Sequence, residues 1–258
     1  MPDLFDMELR ALRRDRAARS GPALFLHERV FADCLDRIAL VGRRFERGLL
    51  IGCPDAQWPV RLGELVGRVS TRDPGPLFAA AAGGNTIVED YWEPPASVFD
   101  LILAVGTLDT VNDLPLALQL MRHSMAEGAL LIGAMSGGET LPELRRAIRA
   151  ADEAAGAAAP HVHPRIEPSA FAGLLTQAGF ANAVVDVDRV PVSYPSLDRL
   201  IVDLRHMGAT NVLTARPRFI GKAARNAASR SFAAAGGGER TVETFEILHF
   251  AAWTPGNL

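Results

Sequence analysis

The sequence predicts an α/β protein built around a mostly parallel sheet, and three observations lead to this fold class. From residue 48 onward, short apolar runs alternate with segments of helical periodicity. Glycine and proline residues separate these segments. The run 99–105 is apolar at nearly every position, as is typical of a strand that is covered on both faces. Repeated alternation of strands and helices implies right-handed crossovers and therefore parallel strands.

Two helices are expected ahead of the sheet, over residues 4–20 and 25–42, with Gly21-Pro22 between them. The first helix is rich in arginine, but acidic residues are interleaved with the basic ones. Transit peptides are poor in acids, so this segment is interpreted as an exposed amphipathic helix. Residues 1–45 are therefore expected to form an N-terminal helical part, and residues 46–258 the main domain.

The remaining elements follow in order, several of them marked by local signals. Asp73-Pro74 and Asp113 have the form of helix N-caps, and Thr140 to Glu143 has the spacing of a capping box. Strands are expected at 49–51, 68–72, 86–88, 99–105, 129–135, 183–190 and 242–253. Helices are expected at 56–67, from 73 to Gly83-Gly84, at 113–125, 140–155 and 168–178, and over most of 196–232. A helical insert before the last strand suits an antiparallel edge on the parallel sheet.

Composition and charge narrow the function classes. The chain has 258 residues, enough for one sizeable core, and a formal net charge of −3, so no global basic field attracts nucleic acid. Its longest apolar runs are far shorter than the roughly 20 residues of a membrane span. Cys34 and Cys53 form no Cys-x-x-Cys pair. We therefore expect a reducing compartment and a cytoplasmic location, with no nucleic-acid partner and no membrane span.

Several short motifs occur over nearly the whole chain, of which the stretch 132–145 is the most specific. The others are Phe5-Asp6, residues 111–115, Pro160-His161, residues 178–180, residues 185–188, Tyr194-Pro195, Asp203-Leu204, Met207-Gly208 and Asn211. In order and in sequence they resemble the type 11 branch of class I S-adenosylmethionine (SAM) methyltransferases. Within that branch the chain resembles the complex I assembly factors with a methyltransferase fold and their bacterial relatives. It is more distantly similar to the malonyl-carrier-protein methyltransferases of biotin synthesis.

The resemblance implies a seven-stranded, Rossmann-like sheet with helices on both faces. It also implies SAM at the carboxyl ends of the first strands, which agrees with the general rule for open α/β sheets. The family loop is an acid and an apolar residue followed by Gly-x-Gly-x-Gly, whose glycines let the backbone approach the cofactor. Here Leu50 replaces the acid, Gly52 and Cys53 follow, and Pro54 and Ala56 replace the later glycines. Proline removes an N–H and fixes φ, so the loop is degenerate, with Gly52 and Cys53 as its remaining cofactor candidates.

Further cofactor contacts are expected at the ends of the next strands. The acid that binds the ribose should end the second strand, where register with the following proline places Thr71. Asp73, 21 residues after Gly52, is either a ribose ligand or the helix N-cap, and the N-cap interpretation is preferred. Near the adenine, Asp90 is preferred to Glu89, with a solvated turn as an equal alternative. The pocket after the fourth strand is expected to be lined by Val105, Gly106 and Thr107.

Substrate contacts are expected from Gly137 and Gly138 at the carboxyl end of the fifth strand, where sites on such sheets form. The resemblance makes His161 a further candidate for the cleft. Tyr194 is another, together with the helical insert over about 195–235, which is interpreted as a lid or else as a plain helical cover. His161-Val162-His163 has metal-ligand chemistry, but no complete ligand set is identifiable, so an ordinary loop is preferred and no metal is expected.

Two functions follow from these expectations. The first is a SAM-dependent methyltransferase, or a relative that uses the same pocket for arginine hydroxylation, acting on a protein or carrier-bound substrate. Positioning of the two reacting groups would supply most of the catalysis, and no residue is identified as a catalytic base. The second is a non-catalytic assembly or binding protein that has kept the fold and lost the cofactor. Binding of SAM distinguishes the two.

Overall fold

The computed structural model describes residues 3–217 and 221–256. In this part of the chain the strands are β1 (Phe45–Ile51), β2 (Val66–Asp73), β3 (Asn85–Thr86), β4 (Phe99–Val105), β5 (Met125–Ser136), β6 (Ala181–Tyr194) and β7 (Thr241–Trp253). They form one seven-stranded sheet in the order β3-β2-β1-β4-β5-β7-β6. Strands β1 to β5 pair in parallel, whereas β7 is antiparallel to both β5 and β6. The predicted fold class and its antiparallel edge are confirmed.

The helices cover both faces of this sheet. They are α1 (Met7–Ser20), α2 (Phe25–Leu40), α3 (Trp58–Leu62), α4 (Pro76–Ala81), α5 (Leu114–Ser124), α6 (Pro142–Ala155), α7 (Pro168–Gln177), α8 (Leu197–His206) and α9 (Lys222–Ala235). Leu50 belongs to one hydrophobic core, beneath α2, α6, α8 and α9. Leu49 and Ile51 belong to the other, beneath α5 and α7. Successive residues of a strand point to opposite faces, so β1 contributes to both cores.

The predicted capping box at the start of α6 is wrong. Leu141 is the N-cap residue, with φ of 58° and no side-chain cap hydrogen bond. Glu243 of β7 supplies the acceptor instead: its carboxylate accepts hydrogen bonds from the backbone N–H groups of Glu143 (3.3 Å) and Leu144 (2.8 Å). The Thr140 hydroxyl turns away and accepts a hydrogen bond from the Glu246 N–H at 3.2 Å. Two backbone N–H groups at the start of α6 thus donate to a side chain on a strand about a hundred residues away along the chain.

The segment expected to be the lid contains α8 and α9, and α9 packs against α6. The division into an N-terminal helical part, a main domain and a lid stays a prediction. None of the helices in the described ranges is long and apolar enough to cross a membrane.

Candidate functional site at the carboxyl ends of the strands

The turn after β1 keeps the sharp backbone that a cofactor loop needs. Gly52 has φ of 81°, and a Cβ atom there would lie 2.1 Å from the carbonyl oxygen of Val105. Only glycine fits this crossing between the ends of β1 and β4. The Gly52 N–H donates to the carbonyl oxygen of Arg72 at 2.9 Å, which fixes the turn against β2. The first glycine of the loop is therefore required by the fold itself.

Asp73, and not Thr71, occupies the end of β2. The strand runs through Asp73, and α4 has Gly75 as its N-cap, so the preferred N-cap interpretation of Asp73 was wrong. The Asp73 carboxylate is fully buried and accepts hydrogen bonds from the N–H groups of Cys53 (2.8 Å) and Gly75 (2.7 Å). Thr71 donates to the Ala82 carbonyl oxygen at 3.1 Å. Asp73 therefore lies where the acid that contacts a ribose is expected.

Glu89, and not Asp90, enters the same region after β3. Its side chain is fully buried. Asp90 instead accepts a hydrogen bond from the Asp113 N–H at 2.8 Å, beside the start of α5. Glu89 is therefore the buried acid that follows β3, whereas contact of either residue with an adenine stays a prediction.

Two arginines of α1 cover these acids. Arg14 donates from Nε and Nη2 to the two carboxylate oxygens of Asp73, at 2.7 and 2.5 Å. Arg10 donates from Nη1 and Nη2 to the two oxygens of Glu89, at 2.7 and 2.8 Å, and Nη2 also reaches the Thr107 carbonyl oxygen at 2.6 Å. Burial lowers the pKa of Arg10, but Glu89, with smaller contributions from Asp109 and Asp73, raises it, so the pKa lies above its usual value.

These contacts contradict the expectation that α1 is exposed. Arg10, Arg14 and Ala17 are buried along one face of the helix, which turns toward the sheet. Paired two-point contacts of this kind are the strongest that arginine and a carboxylate form. The helical spacing of Arg10 and Arg14 was visible in the sequence, but no sequence feature indicated that Glu89 and Asp73 are their partners.

A cavity of about 130 Å³ lies next to the two buried arginine–carboxylate pairs, beyond β4 and β5. Its walls come from α1, α2, α8 and the strand ends. As predicted, Val105 and Gly106 lie in the wall. Thr107 is almost fully buried, and its hydroxyl has no hydrogen-bond partner among the described residues. Pockets for ligands of drug size have volumes of roughly 300–1,000 Å³, so this cavity admits only a small group.

Two neutral histidines face the cavity. Burial lowers the pKa of both His27 and His163 to about 4. The Nε2 atom of His163 accepts a hydrogen bond from the Val212 N–H at 2.8 Å, so its proton is on Nδ1. His27 Nδ1 has no partner in the described part of the chain. His27 is thus an uncharged group in the cavity wall.

The four predicted cleft residues do not line the cavity, although neighbours of three of them do. Ser136 and Thr140 take the place of Gly137 and Gly138, whose missing Cβ atoms make room for carboxylates. A Cβ on Gly137 would lie 2.6 Å from Glu246 Oε1, and one on Gly138 would lie 2.3 Å from Glu167 Oε1. Tyr194 is buried in the core, where desolvation raises its pKa.

His163 takes the role that was expected of His161. His161 Nε2 lies 3.2 Å from Asp152 Oδ1 on α6 and is not part of the wall. Sequence reasoning also missed Arg165, which lies in the wall and pairs with Asp109 at 2.9 Å. Within residues 3–217 and 221–256 no group of three or more histidine, cysteine, aspartate or glutamate side chains is arranged to hold a metal ion.

Residues 3–6, which precede α1 and are called the N-terminal strap, pack against the loops beside the site. The Phe5 N–H donates to Asn112 Oδ1 at 2.8 Å, and the Phe5 carbonyl oxygen accepts from Asn112 Nδ2 at 3.0 Å. Phe5 also forms an antiparallel bridge with Leu213, and its ring packs edge-on against His163 with 5.4 Å between the ring centroids. Asn211 holds the same region by donating to the Pro160 carbonyl oxygen at 2.8 Å. Sequence motifs that are far apart along the chain thus meet beside His163, which lies in the cavity wall.

The same overall fold occurs in solved structures of other proteins, a methyltransferase among them. YcgJ of Bacillus subtilis is 12% identical, with a TM-score of 0.58 over 86% of this chain and 97% of that one. The N-methyltransferase NodS of Bradyrhizobium japonicum, in complex with S-adenosylhomocysteine, is 15% identical, with a TM-score of 0.52 over 95% and 98%. These likenesses show the class I methyltransferase fold.

No protein-family model matches the chain, whereas individual relatives do. Malonyl-[acyl-carrier protein] O-methyltransferase of Xylella fastidiosa is 29% identical over 64% of this chain and 59% of the relative. Arginine-hydroxylase NDUFAF5, mitochondrial, of Danio rerio is 30% identical over 98% of this chain and 83% of the relative. The same protein of Rattus norvegicus is 30% identical over 97% and 77%. The chain therefore belongs to the family of arginine-hydroxylase NDUFAF5, within the class I methyltransferase fold.

Proposed function

We propose that the chain is a SAM-dependent, methyltransferase-like enzyme that acts on a protein or carrier-bound substrate. One observation carries this proposal: Asp73 and Glu89 lie buried at the carboxyl ends of β2 and β3, beside the sharp turn at Gly52. Two acids in these places suit the sugar hydroxyls and the base edge of an adenosine. When bound, SAM supplies an electrophilic methyl group.

The fit is incomplete in the arrangement described. Both acids are already paired with arginines of α1, and Pro54 lacks the N–H that a glycine would offer. The adjoining cavity of about 130 Å³ is also too small for a whole cofactor. The proposal therefore requires α1 to withdraw Arg10 and Arg14 before the adenosine half can be bound.

The substrate class is supported by the relatives and by the cavity. The name of one relative specifies a malonyl group on an acyl-carrier protein, and that of the other an arginine. A dry cavity of about 150 Å³ accepts a benzene molecule, so 130 Å³ suits one side chain or short acyl group presented by a larger protein. Methyl transfer and arginine hydroxylation remain the two reactions to assay on such a substrate.

A second function, a non-catalytic assembly or binding protein, is favoured by the same arginines. When both oxygens of a carboxylate already accept hydrogen bonds from one guanidinium, the carboxylate gains little from binding a ligand. If the pairs of Arg14 with Asp73 and Arg10 with Glu89 never open, the fold serves only as a scaffold.

Calorimetric titration with SAM and with S-adenosylhomocysteine separates these functions. The wild type is compared with Arg10→Met/Arg14→Met, after circular dichroism has shown that the variant is folded. We expect the wild type to bind weakly and the variant more tightly, toward micromolar strength (about −8 kcal/mol), because the acids are released. Absence of binding by both proteins at millimolar ligand would overturn the enzyme proposal and favour the scaffold. Binding by the wild type alone would show that the arginines contact the cofactor instead of excluding it.

Cytoplasmic location stays part of this proposal. Both cysteines are free and buried, which is compatible with a reducing compartment. Fractionation of cells of the source organism, followed by immunoblotting, tests the location.

A further inference from the structure

A second set of arginines lies beside the buried pair of α1. The arginine face consists of Arg13, Arg16, Arg205 and Arg216. Arg13 and Arg16 lie on α1, Arg205 lies in the last turn of α8, and Arg216 follows in the loop beyond it. Arg16 Nη2 donates to Thr210 Oγ1 at 2.9 Å, and Arg216 Nη1 donates to the Leu213 carbonyl oxygen at 2.8 Å. The first bond joins α1 to the loop after α8, and the second lies within that loop.

Positive charge on this face is poorly compensated. Arg216 has an acidic partner, Asp6, at 3.2 Å. Arg13 and Arg16 have none within the described ranges, and the buried Nε atom of each has no hydrogen-bond partner there. Burial lowers the pKa of Arg13, and the neighbouring Arg216 and Arg205 lower it further. Burial lowers the pKa of Arg16 too, with Arg13 and Arg205 adding to the effect. An anion placed against these groups would offset the repulsion between the neighbouring guanidinium groups.

The arginine face adjoins the cavity. Thr210, which Arg16 binds, lies in the cavity wall together with Gly208. The missing side chain of Gly208 lets this loop rest on α1, where a Cβ would be 3.3 Å from the Arg14 Cα atom. A partner bound to the face is therefore positioned to extend one group into the cavity.

We propose that the arginine face docks an acidic segment of the protein that presents the substrate group. This inference rests on the proposed function and names the surface that its protein substrate uses. A short acidic segment matches a local patch of four arginines, and complementary charge also steers the encounter. The whole chain carries a net charge of −3, so its overall field disfavours a long polyanion such as a nucleic acid.

The probe is a fluorescein-labelled polyglutamate peptide, with the polyglutamine peptide of equal length as its neutral counterpart. Fluorescence anisotropy is measured on the full chain at low and at physiological salt. We expect binding of the acidic peptide alone, weakening as salt rises. Arg13→Gln/Arg16→Gln is expected to weaken it about tenfold, because two of the four charges are lost.

Arg68→Gln/Arg149→Gln is the matched control, since it removes two exposed arginines from β2 and α6. It should change the affinity less than twofold, and Arg13→Lys/Arg16→Lys should restore most of the wild-type binding. Equal binding by the wild type and by Arg13→Gln/Arg16→Gln would overturn the proposal, as would tighter binding of a single-stranded oligonucleotide of equal charge. Because SAM is titrated separately, a wild-type protein that binds SAM but does not bind the acidic peptide refutes the docking surface alone.

Discussion

Arg14 of α1 binds both carboxylate oxygens of Asp73 at the end of β2, and this buried pair joins the N-terminal helix to the carboxyl edge of the sheet. Asp73 is fully buried and also accepts two backbone N–H bonds, so its charge is held by four donors. The site in its described arrangement is therefore electrostatically complete without a ligand. Any cofactor that uses Asp73 must compete with the protein's own guanidinium.

Replacement of Arg14 should test how strongly this pair holds the helix. Arg14→Met leaves a buried carboxylate without its cation, which typically costs about 3–5 kcal/mol. Urea unfolding should show a loss of that order, and addition of SAM should recover part of it if the released acid binds ribose. Arg19→Met on the same helix is the control, because Arg19 is exposed and pairs only across the helix surface with Asp15. A loss below about 1 kcal/mol for Arg14→Met would mean that the pair is already broken in solution.

The turn at Gly52 should tolerate no side chain. In Gly52→Ala the new methyl group would meet the Val105 carbonyl oxygen at 2.1 Å, so the ends of β1 and β4 must separate. We expect a loss of free energy of unfolding above about 3 kcal/mol. Gly83→Ala is the control. Gly83 also has a positive φ, 69°, but a Cβ atom there would have no other atom within 4 Å. The control should cost only about 1 kcal/mol, from the positive φ alone. Equal losses in thermal or urea unfolding would show that contact with Val105 is not the cause.

The contrast between predicted and observed elements has a physical basis. The strand 99–105 was predicted with its observed bounds, because a fully buried strand is apolar throughout. Asp73 was misassigned because an acid followed by proline is compatible with both an N-cap and a strand end. Only the pairing of β2 with β3, in which Asp73 lies opposite Thr86, decides between them.

The largest omission was the role of α1. An arginine-rich helix is usually solvated, and the partners of Arg14 and Arg10 lie 59 and 79 residues away along the chain. No local pattern identifies contacts over such separations. The cavity residues His27 and His163 were missed or misassigned for the same reason, since their positions depend on the packing of α2 and of the N-terminal strap.

Glu243 should prove to be the cap of α6, in place of the expected capping box. Glu243→Ala removes the acceptor for the Glu143 and Leu144 N–H groups, and loss of a cap typically costs about 1 kcal/mol. Glu143→Ala, which would remove the glutamate of a capping box, should cost less than about 0.5 kcal/mol, the usual range for a surface change. Chemical denaturation of the two variants gives the comparison. A larger loss for Glu143→Ala would restore the local box as the true cap.

Stability should fall as the solution becomes acidic, well before the carboxylates titrate. The pKa values of His27 and His163 are lowered from 6.5 to about 4 by burial, so the unfolded chain binds these protons at a higher pH than the native protein. Above pH 6.5 both states are neutral at these sites and the full stability is present. Below it the free energy of unfolding should decrease by up to about 1.4 kcal/mol per pH unit for each histidine.

Urea unfolding at several pH values between about 6.5 and 5, a range in which most carboxylates stay ionised, measures this slope. His27→Gln and His163→Gln should each reduce the slope by a similar amount, and the double variant should leave only the part that His249 contributes, since burial lowers the pKa of that histidine too. If the double variant keeps the wild-type slope, the two imidazoles accept protons freely in the native state. They would then face solvent, and the cavity between α1, α2 and the strand ends would have to be open.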